Sequence, residues 1–299
     1  MIRYQISRHT PATGRHQHQR TRIPAAIAAV MLLGCVPASG KIDTSPRPGA
    51  QQRAVVRHDD PVDARAALMQ MNAHWYSRWY ATAIVRLEVT FLGLGAPPPA
   101  QWGAIFSVPE RSRVDYLATD GGSGLIYLPG AVYGFQDGTR AAVDEHTDLP
   151  ILALGHLPGM QVDAAMEALA GARVDTTSFR AMDDESGRRM WVIGSRNGAD
   201  DSLRSEVRID AESRLVRHAI DVRPAGSRFV TTEARVESWL ERDGLLVPHQ
   251  VNRYREGRHV MQERWVALAV DYALPLGIFD PDQWGKVEAP APPFVRRSP

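Results

Sequence analysis

Residues 205–222 read SEVRIDAESRLVRHAIDV, two apolar-rich stretches separated by a short polar turn. Val207 and Ile209 alternate with charged residues before the turn, and the stretch 215–222 follows it. A two-residue period indicates a strand with one buried face. Two such stretches joined by the four residues DAES predict an antiparallel hairpin.

The same strand signal recurs along most of the chain, and strands are predicted at 83–91, 103–108, 113–117, 124–128, 131–136, 174–179, 188–195, 205–209, 215–222, 229–240, 246–254 and 258–270. A helix is predicted at 61–77, with Asp60 as its N-cap, and another at 162–169 after the apolar run 151–157. About eleven or twelve strands joined by local turns predict a mainly β (α+β) fold, an open or half-closed antiparallel barrel. The helices would cover its apolar face.

The N-terminus has the charge order of a secretory signal. The first 34 residues contain five arginines and no acidic residue, and they end in an apolar run at 23–34. This run is shorter than the roughly 20 apolar residues of a membrane-spanning helix. Residues 1–34 are therefore predicted to be a signal peptide.

The signal ends in Leu32-Leu33-Gly34-Cys35, which resembles the lipobox of bacterial lipoproteins. The resemblance implies that Cys35, the only cysteine, is acylated and anchors the protein in the cell envelope, facing the periplasm. Two alternatives stay open, cleavage after residues 38–40 and an uncleaved signal anchor, and in both Cys35 has no chemical role. Val36 follows, rather than the aspartate that marks inner-membrane retention in some enteric bacteria, which favours the outer membrane.

Charge and composition restrict the function of the mature chain. Without the signal, 30 basic residues stand against 34 acidic ones, and the net charge is near −4. Such a chain lacks the basic surface by which proteins bind nucleic acid. Residues 35–58, rich in Pro, Gly, Ser and charged residues, are predicted to be a lipid-anchored flexible tether. Residues 59–286 would form a single half-barrel domain, and 287–299 a Pro-rich disordered tail.

Four segments of the C-terminal third occur in a recognisable order: RMWVIG at 189–194, the hairpin at 206–216, DGLLVP at 243–248 and IFDP at 278–281. Together they resemble the family of periplasmic lipoprotein carriers and outer-membrane lipoprotein-sorting proteins. The resemblance implies a strongly curved antiparallel half-barrel with a helical insert as a lid over an apolar cavity. It also implies that acyl chains of a lipid or lipoprotein are the ligand. The arginine that latches the lid in this family has several equally placed counterparts here.

A curved sheet with one apolar face must bury that face against something. An incompletely filled half-barrel would leave a cavity suited to acyl chains, whereas a filled one would make the same residues ordinary core, and both interpretations stay open. The candidate cavity-lining residues are Val85, Leu87, Val89, Phe91, Val114, Tyr116, Val192, Val207, Ile209, Val236, Val251 and Trp265. The candidate lid residues are Ile151, Leu152, Leu154 and Leu157.

Catalytic and metal-binding patterns have no support in the sequence. Residues 121–125 (GGSGL) depart at their fifth position from the nucleophile elbow G-x-S-x-G and are better explained as a turn. The dense clusters at 58–60 (HDD) and 183–185 (DDE) lack the spacing of known metal motifs and are predicted to be solvated charge. The mature histidines, His156 among them, are scattered over different elements. We therefore predict no enzyme, no metal and no cofactor.

Two functional hypotheses follow. The first is a non-catalytic lipid-binding lipoprotein whose half-barrel accommodates acyl chains of a lipid or lipoprotein. The second is an envelope scaffold or stress sensor that uses the same fold to bind a peptide or protein partner. A filled interior and an exposed strand edge would favour the second hypothesis.

Overall fold

The computed structural model describes residues 60–117, 122–194, 205–225, 227–242 and 244–290, and these form thirteen strands in one antiparallel sheet. The strands are β1 (Thr82–Phe91), β2 (Ala100–Ser107), β3 (Arg111–Tyr116), β4 (Gly124–Leu128), β5 (Ala131–Gln136), β6 (Thr139–Asp144), β7 (Phe179–Asp183), β8 (Arg189–Ile193), β9 (Glu206–Asp210), β10 (Val216–Ala225), β11 (Arg228–Arg242), β12 (Leu245–Arg255) and β13 (Arg258–Val270). The predicted signal peptide, tether and Cys35 lie outside the described residues.

The sheet consists of two meanders that meet at one seam. Its order is β6-β5-β4-β3-β2-β1-β13-β12-β11-β10-β9-β8-β7, so that β1 pairs with β13 and the edges β6 and β7 stay apart. The sheet is not closed, and it forms a curved half-barrel with a helical insert. The predicted fold class is thereby confirmed.

The helices of the described part lie before β1 and between β6 and β7. Helix α1 (Ala64–Trp75) precedes the sheet. The insert runs through α2 (Leu149–Ile151), a π-helical segment (Leu152–His156), a 3-10 turn (Leu157–Gly159) and α3 (Val162–Gly171). A 3-10 turn at Pro281–Gln283 lies near the C-terminus. None of these helices has the length and apolar character of a membrane span.

The N-cap of α1 is Asp63, and the prediction of Asp60 was wrong. Asp63 accepts a hydrogen bond at 2.7 Å from the backbone N–H of Ala66, as an N-cap does. Asp60 binds a distant strand instead, because Arg189 Nη2 lies 2.5 Å from its carboxylate and Trp191 Nε1 donates to it at 3.2 Å. Asp60 therefore joins the chain leading into α1 to β8.

Two strand predictions also need correction. The segment 174–179 is not a strand, since the Asp175 carboxylate accepts from both Thr177 N and Thr177 Oγ1 and closes a turn, and β7 begins only at Phe179. Strand β6 was missed because all six of its side chains are exposed, so its sequence carries no apolar alternation. Only its backbone pairing with β5 identifies it.

The two faces of the sheet are covered by different parts of the chain. On the inner face, the helices pack on alternate residues of the strands, including Val85 and Val89 of β1. On the outer face, Ile84 of the same strand packs with Ile105, Ile278 and Phe279. The central strand β1 is therefore buried on its inner face, and on its outer face at Ile84.

The C-terminal segment on the outer face is held by an aromatic and cationic stack. The ring of Trp284 stacks on Phe135 with centroids 4.2 Å apart, and the Arg113 guanidinium lies 4.2 Å from the Trp284 ring. Arg113 also forms a salt bridge of 2.8 Å with Asp115 and donates to the carbonyl of Val287 at 3.3 Å. These contacts fix the segment across β3, β4 and β5.

The close packing of Trp284 on β4 makes Gly124 sensitive to substitution. A Cβ at Gly124 would lie 2.1 Å from the carbonyl oxygen of Val114 and 2.7 Å from Trp284 Cη2. We expect Gly124→Ala to lower the free energy of unfolding by about 3 kcal/mol, because the backbone or the C-terminal segment must shift.

The matched control is Gly103→Ala in β2, where the nearest atom to the added Cβ is Leu117 Cδ2 at 3.6 Å. We expect this variant to stay within about 1 kcal/mol of the parent protein. Urea unfolding of both variants measures the difference. Equal stabilities would contradict the packing described for Trp284.

Candidate functional site

A cleft of about 420 Å³ lies between the helical insert and the β4–β5 side of the sheet. The turn between β4 and β5 forms one wall, with Tyr127, Leu128 and Pro129, and the insert forms the other. The volume is near the lower end of the about 300–1,000 Å³ that small-molecule sites occupy. The cleft is therefore large enough for a slender ligand.

Helix α3 forms one wall of the cleft, mostly with small residues. Ala164, Glu167, Ala168 and Gly171 line the cleft, and their spacing of three and four residues places them on one helix face. The opposite side of α3 is anchored in the core by Ala165 and Leu169. Because three of the four lining residues are Ala or Gly, the helix leaves space beside the sheet.

The π-helical segment of the insert packs against aromatic side chains and accepts hydrogen bonds from two of them. Trp79 Nε1 and Tyr80 OH both donate to the carbonyl oxygen of Gly155, at 3.2 and 2.9 Å. A Cβ at Gly155 would lie 2.6 Å from Phe106 Cε1, so only glycine allows this close approach. Burial raises the pKa of the Tyr80 hydroxyl, which therefore stays protonated and remains a donor.

An ion pair connects the start of the insert to the sheet. Asp148 caps α2 by accepting from Ile151 N at 3.0 Å, and its second oxygen accepts from Arg223 Nη2 of β10 at 3.3 Å. Arg223 also donates to Asp221 at 2.5 Å. Burial raises the pKa of Asp221, and the neighbouring Arg223 opposes this rise. Of the arginines in the described residues, Arg223 is thus the one that pairs with the carboxylate that begins the insert.

A second ion pair lies on the inner face of the sheet. Arg253 of β12 forms two hydrogen bonds with Glu263 of β13, at 2.9 and 3.2 Å, and Glu263 is 5% exposed. Burial by itself lowers the pKa of Arg253, but the Glu263 carboxylate, with smaller contributions from Asp148 and Tyr127, raises it overall, so that the guanidinium stays charged. The inner face is therefore not uniformly apolar.

The floor of the cleft contains a buried histidine. His156, 2% exposed, lines the cleft, and its Nε2 lies 2.7 Å from Ser112 Oγ of β3. Burial lowers the pKa of His156 to about 3, so the imidazole is neutral near pH 7. Its Nδ1 has no hydrogen-bond partner among the described residues.

The Ser112–His156 pair differs from a hydrolytic dyad in three ways. Ser112 is fully buried, and a ring with a pKa near 3 is a poor base at neutral pH. The nitrogen that a carboxylate orients in a catalytic triad is Nδ1, which here has no carboxylate beside it among the described residues. The arrangement can hold a hydrogen bond, but it is not built to activate a nucleophile.

Acidic residues predominate among the charged groups of the cleft. Glu110, Glu145, Asp148 and Glu167 line it, with Asp148 paired to Arg223, and the described lining contains His146 and His156 but no Lys or Arg. Apolar side chains such as Leu152 and Met160 lie deeper in the site and are buried. The cleft thus combines an apolar interior with acidic groups.

The predicted lining residues lie elsewhere, and none of the twelve lines this cleft. Nine belong to the main buried cluster, namely Val85, Leu87, Val89, Val114, Val207, Ile209, Val236, Val251 and Trp265. Phe91 and Tyr116 pack against that cluster, and Val192 is buried outside it. Of the predicted lid residues, Ile151 and Leu152 line the cleft, while Leu154 and Leu157 pack into the core.

Sequence reasoning missed Ser112, His156 and the lining face of α3. Ser112 and His156 are 44 positions apart, and only the curvature of the sheet brings β3 beneath the insert. The one available signal was the position of His156 within the apolar run 151–157. Within the described residues, no group of three His, Cys, Asp or Glu side chains is arranged to hold a metal ion.

Comparison with known proteins gives structural matches only. No protein-family profile and no curated sequence matches the chain. A LolA superfamily protein from Nitrosomonas europaea is 11% identical with a TM-score of 0.45, over 74% of this chain and 99% of that one. A putative outer membrane lipoprotein-sorting protein domain from Vibrio parahaemolyticus is 8% identical with a TM-score of 0.49, over 74% and 98%.

A DUF1329 family protein from Desulfovibrio piger is 10% identical with a TM-score of 0.45, over 74% of this chain and 97% of that one.

The buried histidine predicts a pH dependence of stability. Because folding lowers the pKa of His156 from 6.5 to about 3, the folded state binds fewer protons than the unfolded chain between these values. The stability that neutral His156 allows is therefore lost as pH falls through this window. We expect the free energy of unfolding to fall by about 2 kcal/mol less in His156→Phe than in the parent when the pH is lowered from about 7 to about 5.

Urea unfolding at the two pH values measures this difference in slope. His218→Phe is the matched variant, since burial lowers the pKa of His218 to about 4 at a position away from the cleft. His218→Phe should make the free energy of unfolding depend less on pH to a similar extent, and the double variant should show a still weaker dependence. An unchanged slope in His156→Phe would show that this ring takes up a proton in the folded state.

Proposed function

We propose that this chain is a non-catalytic envelope lipoprotein that holds an acyl chain of a lipid or lipoprotein in the cleft beneath its helical insert. The observation that carries the proposal is the cleft itself, in which the Ala and Gly face of α3 stands opposite the β4–β5 turn. Hydrocarbon is transferred from water into such surroundings at a gain of about 0.8 kcal/mol for each buried methylene.

The size of the cleft favours a single chain. At about 420 Å³ the site is a narrow one. The rest of the inner face is covered, because strand residues such as Val85, Leu87 and Val251 lie in one buried apolar cluster with residues of the helices. A ligand with several acyl chains would need the insert to move away from the sheet.

The insert is built in a way that suits a movable cover. It consists of short α, π and 3-10 pieces in place of one continuous helix, and π segments occur often at functional sites. Its polar links to the rest of the described chain include the Arg223–Asp148 pair, the Ser112–His156 hydrogen bond and the two bonds from Trp79 and Tyr80 to the Gly155 carbonyl. Burial of Leu152, Leu154 and Leu157 opposes displacement by roughly 1.5–3 kcal/mol for each side chain. Movement of α3 alone would cost less.

The proposal includes export and anchoring through Cys35. An arginine-rich signal followed by the lipobox-like Leu32-Leu33-Gly34-Cys35 supports acylation of this cysteine, with the domain facing the periplasm and the outer membrane as the favoured location. An anchored protein of this kind would receive or hold a ligand at the membrane. It would not diffuse with it as a soluble carrier does.

Two observations favour a second candidate function, binding of a peptide or protein partner: most of the inner face is filled, and the sheet has an exposed edge strand. Strand β6 forms an edge of the sheet within the described residues, and all its side chains are exposed, including Val143. Such an edge offers backbone donors and acceptors to an added strand. Crosslinking in cells separates the two functions, since a dominant protein partner would support this one.

The acyl-binding proposal is tested by filling the cleft from α3. We expect Ala168→Phe to lower the affinity for a fluorescent fatty acid by at least about tenfold, because the phenyl ring would occupy the space of the acyl chain. The matched control is Ala170→Phe on the same helix, at an exposed position outside the cleft lining. Its affinity should equal that of the parent protein.

Native mass spectrometry of the detergent-free protein provides an independent readout. The parent and Ala170→Phe should carry acyl ligand, and Ala168→Phe should not. Equal binding by all three proteins would place the ligand outside the cleft. The absence of any acyl ligand in the parent would reject acyl binding altogether.

Anchoring is tested separately with Cys35→Ala. This variant should lose membrane association, because no acyl group can be attached, while its circular dichroism spectrum and unfolding transition stay those of the parent. Fractionation of cells expressing each form measures the distribution. Membrane attachment that persists in Cys35→Ala would indicate an uncleaved signal anchor instead.

A further inference from the structure

The hydrogen bond between Ser112 and His156 determines which groups of the pair remain unsatisfied. A neutral imidazole has one N–H donor and one acceptor nitrogen. If Ser112 Oγ–H donates to His156 Nε2, the proton of the ring is on Nδ1, and one donor is left without a partner. If Nε2–H donates to Ser112 instead, both the serine hydroxyl proton and the Nδ1 lone pair lack partners among the described residues. The first arrangement leaves fewer buried groups unsatisfied.

We propose that the N–H at Nδ1 of His156 binds the carbonyl oxygen of an ester- or amide-linked acyl chain, so that the cleft selects acylated compounds over free fatty acids. This inference rests on the proposed acyl-binding function and adds the chemical class of the ligand. His156 lines the cleft, and the bond to Ser112 leaves Nδ1 as its free nitrogen.

The charges around the cleft decide between a neutral carbonyl and a carboxylate. Glu110, Glu145 and Glu167 line the cleft, as does Asp148, which is paired with Arg223, and the described lining contains His146 and His156 but no Lys or Arg. A free fatty acid is ionised near neutral pH, and its carboxylate would meet the glutamates with no Lys or Arg in the lining to pair with it. Burial also keeps His156 neutral. An ester or amide carbonyl accepts a hydrogen bond without bringing a charge.

The chain attached to that carbonyl would run along apolar side chains. Leu152 and Met160, both buried, line the same cleft as His156, and so does the Ala and Gly face of α3. The hydrogen bond would therefore fix the position of the carbonyl, while the hydrocarbon provides most of the binding free energy. This division of roles is common in small-molecule sites, where a few polar groups set orientation.

The experiment compares three compounds with the same chain: monolauroyl glycerol, lauramide and lauric acid. Each displaces a fluorescent acyl-amide probe from the protein at about pH 8, where the free acid is ionised. We expect the ester and the amide to bind about threefold to tenfold more tightly than the acid. In His156→Phe, which keeps an aromatic ring against Phe106 but removes the donor, the ester and the amide should bind about threefold to tenfold more weakly than they bind the parent, because the hydrogen bond is lost while the acidic lining stays.

His218→Phe is the matched control, since it removes another buried histidine that does not line the cleft. It should keep the parent's affinity for the ester and the amide. A parent protein that binds all three compounds equally, or a His156→Phe variant that binds the ester and the amide as tightly as the parent does, would overturn the inference. Failure of every compound to displace the probe from the parent would instead reject the acyl-binding function.

A measurement on the unmodified protein guards against variants that fail to fold. Nitrogen-15 correlation spectra of the histidine side chains should show His156 as the Nδ1–H tautomer, with its proton shifted downfield by monolauroyl glycerol. The Nε2–H tautomer, or a proton resonance that the ester leaves unchanged, would show that Nδ1 does not bind the ligand.

Discussion

The pairing of β1 with β13 is the constraint on which the rest of the structure depends. It joins the first strand of the folded chain to the last, and it turns two local meanders into one sheet. Strand β1 is suited to this central place because one of its faces is wholly apolar, with Val85 and Val89 in the main buried cluster, while Ile84 on the other face packs with the C-terminal segment. Since the seam lies in the middle, the free edges are β6 and β7, and the chain must cross from one to the other.

That crossing positions the site. The connection between β6 and β7 is the helical insert, and the curvature of the sheet brings β2, β3 and β10 beneath it. The insert fills most of the inner face with apolar side chains but leaves space where α3 presents Ala and Gly. The cleft therefore lies at the side of the half-barrel and not at its centre. The outer face contributes indirectly, because the stack of Trp284 on Phe135 fixes the strands that form the far wall.

Buried polar groups hold the strands and the insert in their relative positions. Two ion pairs, Arg253 with Glu263 and Arg223 with Asp148, lie on an otherwise apolar inner face. Buried pairs of this kind add little stability compared with apolar residues, but removal of one partner is costly. They fix the register of β12 with β13 and the start of the insert. His156 differs from them, because one of its buried nitrogens lacks a hydrogen-bond partner among the described residues.

The sequence by itself determined the strands with alternating apolar residues, helix α1, the position of the insert and the half-barrel class, because these follow from local periodicity. It could not reveal β6, whose side chains are all exposed, or the partner of Asp60, which lies 129 positions away. The predicted lining residues were selected as one apolar face, and periodicity cannot distinguish a face that is covered from one that is open. Only the tertiary structure decided this, since the insert covers most of that face. It also decided where a cleft remains and that Ser112 and His156 meet within it, because both depend on contacts between distant parts of the chain.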